Sequence, residues 1–253
     1  MKWVATLLMM ALPAAVYAAP PAFDATAAKI RTALENPRRT AAEKARDANR
    51  KPLETLKFLG LRDDMTVLEL VPGQGWYTHI LGPVLEEHGR LYISISAEHV
   101  FDEIKDKPGF GATALIPFDT ANFTRMPGAM RTTVPDFSFG LKQKVDLVVT
   151  FRNLHDFTEE GRLNIDRAVF EALKPGGYYG VVDHTRRHMQ PDSFEVWRRM
   201  DPVQIIKEVQ SVGFQFVDYS DLHYHPDDEL RYEVGRKTVT GNTDRFTFLF
   251  RKP

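Results

Sequence analysis

The sequence predicts a doubly wound α/β fold: seven strands in one mostly parallel sheet, with an antiparallel last strand. Three observations predict it. From Thr66 onward, short apolar runs alternate with segments of helical periodicity, which is how strands joined by right-handed helical crossovers read. The first of these runs ends directly in a turn bearing two glycines, Gly73 and Gly75, before the next helical segment. The last two apolar runs have no helical segment between them, so they pair antiparallel, at the edge of the sheet.

Ahead of the first strand lies a polar, Ala-rich stretch from Pro20 to Arg50. Its turn, Asn36-Pro37-Arg38-Arg39, is followed by Thr40, which caps a helix carrying Glu43, Arg46, Asp47 and Arg50. Pro52 opens a second short helix to Leu59, and Gly60 ends it. Thr66–Val71 is the first buried strand and Trp76–Glu87 the helix after it. Leu91–Ile95 is the second strand, Ala114–Pro117 a weak third and Val145–Phe151 a strong fourth. Arg162–Leu173 is helical, with Ile165, Val169 and Leu173 on one face. Lys174-Pro175-Gly176-Gly177 turns into a fifth strand, Tyr178–Val182. Asp201-Pro202 caps a helix to Val212, and Phe214–Tyr219 and Arg245–Phe250 complete the seven.

Composition narrows the function. The 253 residues suffice for one sizeable core. Lys and Arg number 33 against 34 Asp and Glu, so no basic field exists to hold a phosphate backbone, and nucleic acid is not an expected partner. With no cysteine, disulfides, thiolate metal sites and a Cys nucleophile are excluded. The first residues read as a secretory signal peptide: Lys2, an apolar run from Trp3 to Val16, and small residues at Val16 and Ala18 for cleavage after Ala18. The run is short for a membrane span. The expectation is a signal peptide over 1–18, a helical extension over 19–59 and the main domain over 60–253, in a periplasmic or secreted protein without stable membrane insertion. Nothing in the residues separates an oligomer surface from a pocket rim.

In a doubly wound sheet a ligand sits beyond the carboxyl ends of the strands, and glycines there let it approach the backbone. The segment Glu69-Leu70-Val71-Pro72-Gly73-Gln74-Gly75-Trp76-Tyr77 ends the first strand at that place. It is not a dinucleotide fingerprint, because Thr78 stands where a third glycine would be needed. Arg152, Asn153, His155 and Asp156 follow the fourth strand, and Asp183 and His184 end the fifth. His155 is the candidate base, since an imidazole titrates near neutrality; a core or surface histidine is the plainer reading. Asp183 can orient either histidine. His184 and His188, or His223 and His225, with Asp183 or Asp221, have loose metal-ligand spacings; no metal residues are assigned, and a histidine-metal-dependent enzyme stays an alternative reading beside a non-catalytic ligand-binding protein. The long polar loop from His223 to Asn242 can cover the pocket.

Taken with Val145–Phe151 and the turn Leu173-Lys174-Pro175-Gly176-Gly177, the glycine turn resembles class I S-adenosylmethionine-dependent methyltransferases, whose fold is Rossmann-like. More narrowly, the chain is similar to an exported family of predicted methyltransferases. The matching segments are Arg46-Asp47, Arg50-Lys51-Pro52-Leu53-Glu54, Gly75-Trp76-Tyr77-Thr78, Thr150–Asp156 and Val181-Val182-Asp183-His184. The resemblance runs from about Asn36 to Pro253. It implies S-adenosylmethionine as cofactor and methyl transfer to a small molecule. Glu69, Gly73, Gly75 and Tyr77 would face the cofactor, with Asn153 beside them; Ser94 would meet a ribose hydroxyl and Asp119 the adenine amine. A carboxylate bound by turn amides is the plain alternative for Glu69, and an ordinary loop residue for Asp119. Arg46 and Arg152 would contact the substrate, although Arg46 can equally lie on a solvated, ion-paired helix face. His155, Asp183 and His184 would carry the catalysis. Two departures stand out. Val71 occupies the family's first glycine, and the second strand ends in Ser94 and Ser96, with Glu98 the nearest acid, where the family has Asp or Glu.

Overall fold

The computed structural model describes residues 23–253. The signal-peptide segment and its cleavage point lie outside them. The seven strands are β1 Thr66–Leu70, β2 Arg90–Ser94, β3 Thr113–Ile116, β4 Val145–Phe151, β5 Leu173–His184, β6 Gln215–Ser220 and β7 Arg245–Arg251. They form one sheet in the order β3-β2-β1-β4-β5-β7-β6. The pairs β1–β2, β2–β3, β1–β4 and β4–β5 are parallel, and β7 runs antiparallel to both β5 and β6. The last two strands therefore pair as expected, but β7 lies inside the sheet and only β6 at its edge. Burial explains the order. β7 is buried at Arg245 through Phe250, while most of β6 is exposed, and a strand covered on both faces belongs in the interior.

Eight α-helices flank the sheet among the described residues: α1 Asp24–Leu34, α2 Ala41–Lys44, α3 Asp47–Arg50, α4 Pro52–Phe58, α5 Thr78–Leu85, α6 Glu98–Ile104, α7 Glu159–Ala172 and α8 Pro202–Ser211. The single helix expected after Thr40 is two short helices. Thr40 does cap the first, and Glu43 closes the box by accepting from the Thr40 backbone N–H. Helix α1 falls within the helical extension expected over 19–59, though its bounds are not drawn there; α6, which buries only Val100 and Ile104, has no counterpart in the sequence reading. The turn at Lys174–Gly177 falls within β5. There the register against β4 shifts between Val145 and Leu147, and Gly176 takes φ +80°.

Side chains alternate across each strand, and the core divides accordingly. One face packs Val67, Ile93, Leu147 and Val149 under Ile30, Leu56, Ile80 and Leu81. The other packs Leu68, Val148, Val181 and Phe248 under Ile165, Val169, Ile205 and Val209. Glu69 shares the parity of Val67, and Phe151 that of Val149, so both face the side roofed by α1–α5.

The carboxyl edge of the sheet is where the backbone is least ordinary. Val71 follows β1 at φ 49°, Ile95 follows β2 at 62°, and Arg152 follows β4 at 64°. None is glycine, and each such residue costs about 1–2 kcal/mol in the left-handed region. The residue after β1 and the residue after β4 still donate one backbone hydrogen bond each, Val71 N–H to Ser94 O at 3.0 Å and Arg152 N–H to Val182 O at 2.6 Å. The chain then peels away sharply. Strain concentrated along one edge marks that edge as the working one.

Candidate functional site

Two cavities open at this edge. The first, about 390 Å³, lies between the glycine turn, the end of β4 and the helices α2–α3. Its floor is Glu69, almost fully buried, which accepts a hydrogen bond from the Thr78 hydroxyl at 2.6 Å. Burial pushes the Glu69 carboxyl up to about 7, opposed by the Thr78 bond and the charge of Arg50. Tyr77 stacks on Phe151 with ring centroids 3.5 Å apart, and burial raises its phenol to about 12. Gly73 is the open point of the turn: its φ is +62°, and a Cβ built there would meet nothing within 4 Å. Gly75 is a glycine for another reason. A Cβ there would lie 3.0 Å from Val100 and 3.3 Å from His79, so it serves the packing of the turn against α6 and does not line the cavity.

The roof is pinned to the turn by polar contacts. Trp76 Nε1 donates to the Glu43 carbonyl at 2.9 Å, and His79 Nδ1 meets the Glu43 carboxylate at 2.6 Å. The Arg50 guanidinium lies 4.3 Å over the Trp76 ring. Its carbonyl accepts from the Thr55 hydroxyl at 2.9 Å and from His223 Nε2 at 3.0 Å. His223 Nδ1 then accepts from the Thr247 hydroxyl at 2.7 Å. That leaves His223 neutral, and burial holds it down at about 4. Asn153 ties β1 to β4: its Nδ2 donates to the carbonyl of Val71 at 3.0 Å and lies 3.3 Å from that of Leu70.

The second cavity, about 410 Å³, lies at the ends of β4 and β5, and the loops after β5 and before β7 complete it. Its centre is a histidine–carboxylate pair. His155, in the short turn Leu154–Asp156, is buried, and its Nδ1 lies 2.6 Å from Asp183 Oδ1. Asp183, fully buried at the end of β5, also accepts from the backbone N–H of His155 at 3.2 Å and of His184 at 2.7 Å. An acceptor on Nδ1 makes that nitrogen the donor and leaves Nε2 free to take a proton. Nε2 is 3.6 Å from the nearer Asp156 oxygen, beyond a hydrogen bond. Burial raises the Asp156 carboxyl. His184 is buried with an unpartnered Nδ1, and burial, then the His155 charge, keeps it well below the ordinary imidazole range.

Arg46 and Arg152 line both cavities. Arg50 belongs to the first, Arg198 and Arg245 to the second. Burial, then the charge of Arg152, lowers Arg50 to about 9 and Arg245 to about 10.

Glu69, Gly73, Tyr77, Asn153, Arg46 and Arg152 thus converge on the first cavity, and His155 and His184 on the second, with Asp183 behind them. Three residues do not join them: Gly75, which packs the turn against α6, Ser94 and Asp119. The Ser94 hydroxyl donates to the Ile116 carbonyl at 3.0 Å and is buried inside the sheet. Asp119 is exposed and accepts from Ala121 N–H at 2.9 Å, capping a short turn. Of the loosely spaced histidines, His188 pairs with Asp201 at 2.9 Å, and no cluster of three potential metal ligands occurs among the described residues. Arg198 and Arg245 were missed in sequence. They come from the loop after β5 and the start of β7, where no local pattern marks them.

A sheet ordered 3-2-1-4-5-7-6 with β7 reversed, and a glycine turn after β1, is the class I S-adenosylmethionine-dependent methyltransferase fold. Solved structures agree. A SAM-dependent methyltransferase from Aquifex aeolicus superposes with TM-score 0.57 at 16% identity, over 90% of this chain and 98% of that one. The [4+2]-cyclase SpnF superposes with TM-score 0.56 at 14% identity, over 91% and 93%. Human N-acetylserotonin methyltransferase, in complex with SAM, gives TM-score 0.52 at 12% identity, over 91% of this chain and 57% of that one. No family model and no curated protein matches the sequence. Likeness at such identities establishes the fold and leaves the reaction to the site; a cyclase among these structures makes the same point.

Proposed function

We propose that the protein is an S-adenosylmethionine-dependent methyltransferase acting on a small molecule outside the cytoplasm. One observation carries the reading: a cavity against the glycine turn and a cavity holding a free imidazole nitrogen share a wall at Arg46 and Arg152. The residues of the first cavity fit the cofactor. Gly73 leaves its backbone open to a ligand, Glu69 offers a carboxyl at the floor, and Arg50 a guanidinium with a buried, unpartnered Nε.

S-adenosylmethionine, when bound, supplies a methyl group already activated on a sulfonium. The chain's share is alignment and proton handling. Arg46 and Arg152 order the boundary between the two ligands. Asp183 fixes the His155 ring and tautomer, and His155 Nε2 takes the proton from a protonated acceptor. The apolar stack of Tyr77 on Phe151 excludes water from the floor of the first cavity. The export reading rests on Lys2, the apolar N-terminal run and the small residues Val16 and Ala18; nucleic acid finds no basic field to hold it.

Calorimetry with S-adenosylmethionine and S-adenosylhomocysteine tests this. Micromolar binding is expected, lost in a folded Gly73→Leu variant, and absence of binding to the wild-type protein sinks the proposal. A second reading has its own support: Val71 stands in the turn, and Ser94 is spent on the sheet. Under it the protein binds a ligand in the first cavity and transfers nothing. Cofactor binding without turnover on any acceptor is its signature.

A further inference from the structure

We infer that the methyl acceptor carries an oxyanion, a carboxylate or a phosphate, seated between Arg46, Arg152 and Arg245 in the second cavity. The word acceptor rests on the methyltransferase reading; the anion site stands on the geometry of the arginines.

Away from the two cavities, the buried guanidiniums among the described residues have carboxylates. Arg162 Nε and Nη2 each lie 2.7 Å from Glu208, and Arg199 Nη1 and Nη2 lie 2.8 and 3.0 Å from Asp228. A buried charge without such a partner is strongly unfavourable. Among the described residues, the buried Arg245, the half-buried Arg152 and the exposed Arg46 make no ion pair, in contrast to Arg198 in the same wall, which holds Glu233 at 2.5 Å; the penalty for an unpaired buried charge falls on Arg245 above all. Arg245 is only 5% exposed. Its Nη1 donates to the Asn49 carbonyl at 3.2 Å, and its buried Nε has no partner. The neighbouring His184 Nδ1 is likewise unpartnered.

The carboxylates nearby do not balance these charges. Asp183 is taken up by His155 and by the backbone N–H of His184. Asp244 accepts from the backbone N–H of His225 and makes no ion pair with Arg245. Asp156 alone lines the cavity, against three unpaired guanidiniums. The cofactor's own carboxylate has Arg50 in the first cavity, which Arg245 does not line. A planar guanidinium fork matches the two oxygens of a carboxylate or phosphate. An acceptor anchored there would sit in the cavity that His155 also lines.

Calorimetry on the purified protein tests this with inorganic phosphate, and with 4-hydroxybenzoate against its neutral isostere 4-hydroxybenzamide. Stronger binding of phosphate points to a phosphoryl acceptor, and stronger binding of the benzoate to a carboxylic acid. At least one anion is expected to bind about tenfold or more above the amide. Arg245→Gln should weaken it by about tenfold or more, the scale of one charged hydrogen bond, with S-adenosylhomocysteine affinity within about twofold of wild type. Arg46→Gln, at an exposed position, gives the same anion readout should Arg245→Gln fail to fold. The inference is overturned if neither anion binds, if the amide binds equally, or if both folded variants bind the anion as wild type does. Anion binding without S-adenosylhomocysteine binding would retain the site and remove the methyltransferase reading; the reverse would retain that reading and remove the site.

Discussion

The two cavities are alike in size and opposite in construction. The first is made by backbone. Val71 and Gly73 in left-handed conformation shape it, and polar side chains such as Glu43, Arg50, Glu69 and Gln74 line it around that turn. The second is made by side chains, sent from segments as far apart as Arg46, His155, Arg198 and Arg245 onto one wall. A backbone-built cavity changes shape only when the turn changes. A side-chain-built cavity can change its ligand by single substitutions and keep its frame. The contrast agrees with the proposed function, in which the invariant partner, the cofactor, takes the first and the specific partner the second.

The strongest way to break that division is His155→Ala. Turnover is expected to fall by about 10²–10⁴-fold, the range for a positioned general base, while S-adenosylhomocysteine affinity, read by calorimetry, stays within about twofold. Equal losses in both would show that the cavities are not separate in role.

Glu69→Gln probes the floor of the first cavity through pH. The Glu69 carboxyl is raised from 4.5 to about 7 by burial. The folded chain then keeps a proton that the unfolded chain has lost. Its contribution is present below pH 4.5 and is lost as pH rises through about 7, on the order of 3 kcal/mol in all. The variant should flatten the fall in stability across that window in denaturant titrations. Asp166, raised to about 7 by the same cause, keeps a second share of the slope. An unchanged profile would place Glu69 outside the low-dielectric floor described here.

Val71→Gly gives the smallest effect. Removing a β-branched residue from φ 49° relieves about 1–2 kcal/mol of strain, offset by lost packing of a half-buried side chain. Thermal unfolding should move little, and S-adenosylhomocysteine should bind more tightly. Weaker binding would mean that the Val71 side chain is a contact rather than an obstruction.

The same contrast decides what could be read in the sequence. The fourth strand was legible to the residue, because Val145, Leu147, Val148, Val149 and Phe151 crowd apolar, β-favouring side chains into one short segment. The glycine turn was legible because its residues are adjacent. Asp183 was placed beside the histidines from strand ends alone, and it lies against His155. Ser94 was not legible: its position at the end of β2 is right, but the Ile116 carbonyl, set by the pairing of β3, takes its hydroxyl. Asp119 follows β3 as read, yet its carboxylate caps its own loop. Helix α1 is alanine-rich, so its face at Ala27, Ile30 and Ala33 carries little contrast, and α6 is too short for periodicity to show. Arg245 heads a strand of phenylalanines, and only the insertion of β7 between β5 and β6 brings it to the cavity. Tertiary delivery leaves no local mark.

Arg46 and Arg152 line both cavities, so under the proposed function neither ligand would meet its cavity wholly indifferent to the other. By thermodynamic linkage, whatever factor the cofactor imposes on acceptor affinity, the acceptor imposes on cofactor affinity. Under the proposed function the shared pair of guanidiniums would make this molecule a reciprocal gauge of its two ligands: retention of one would track the arrival of its mate.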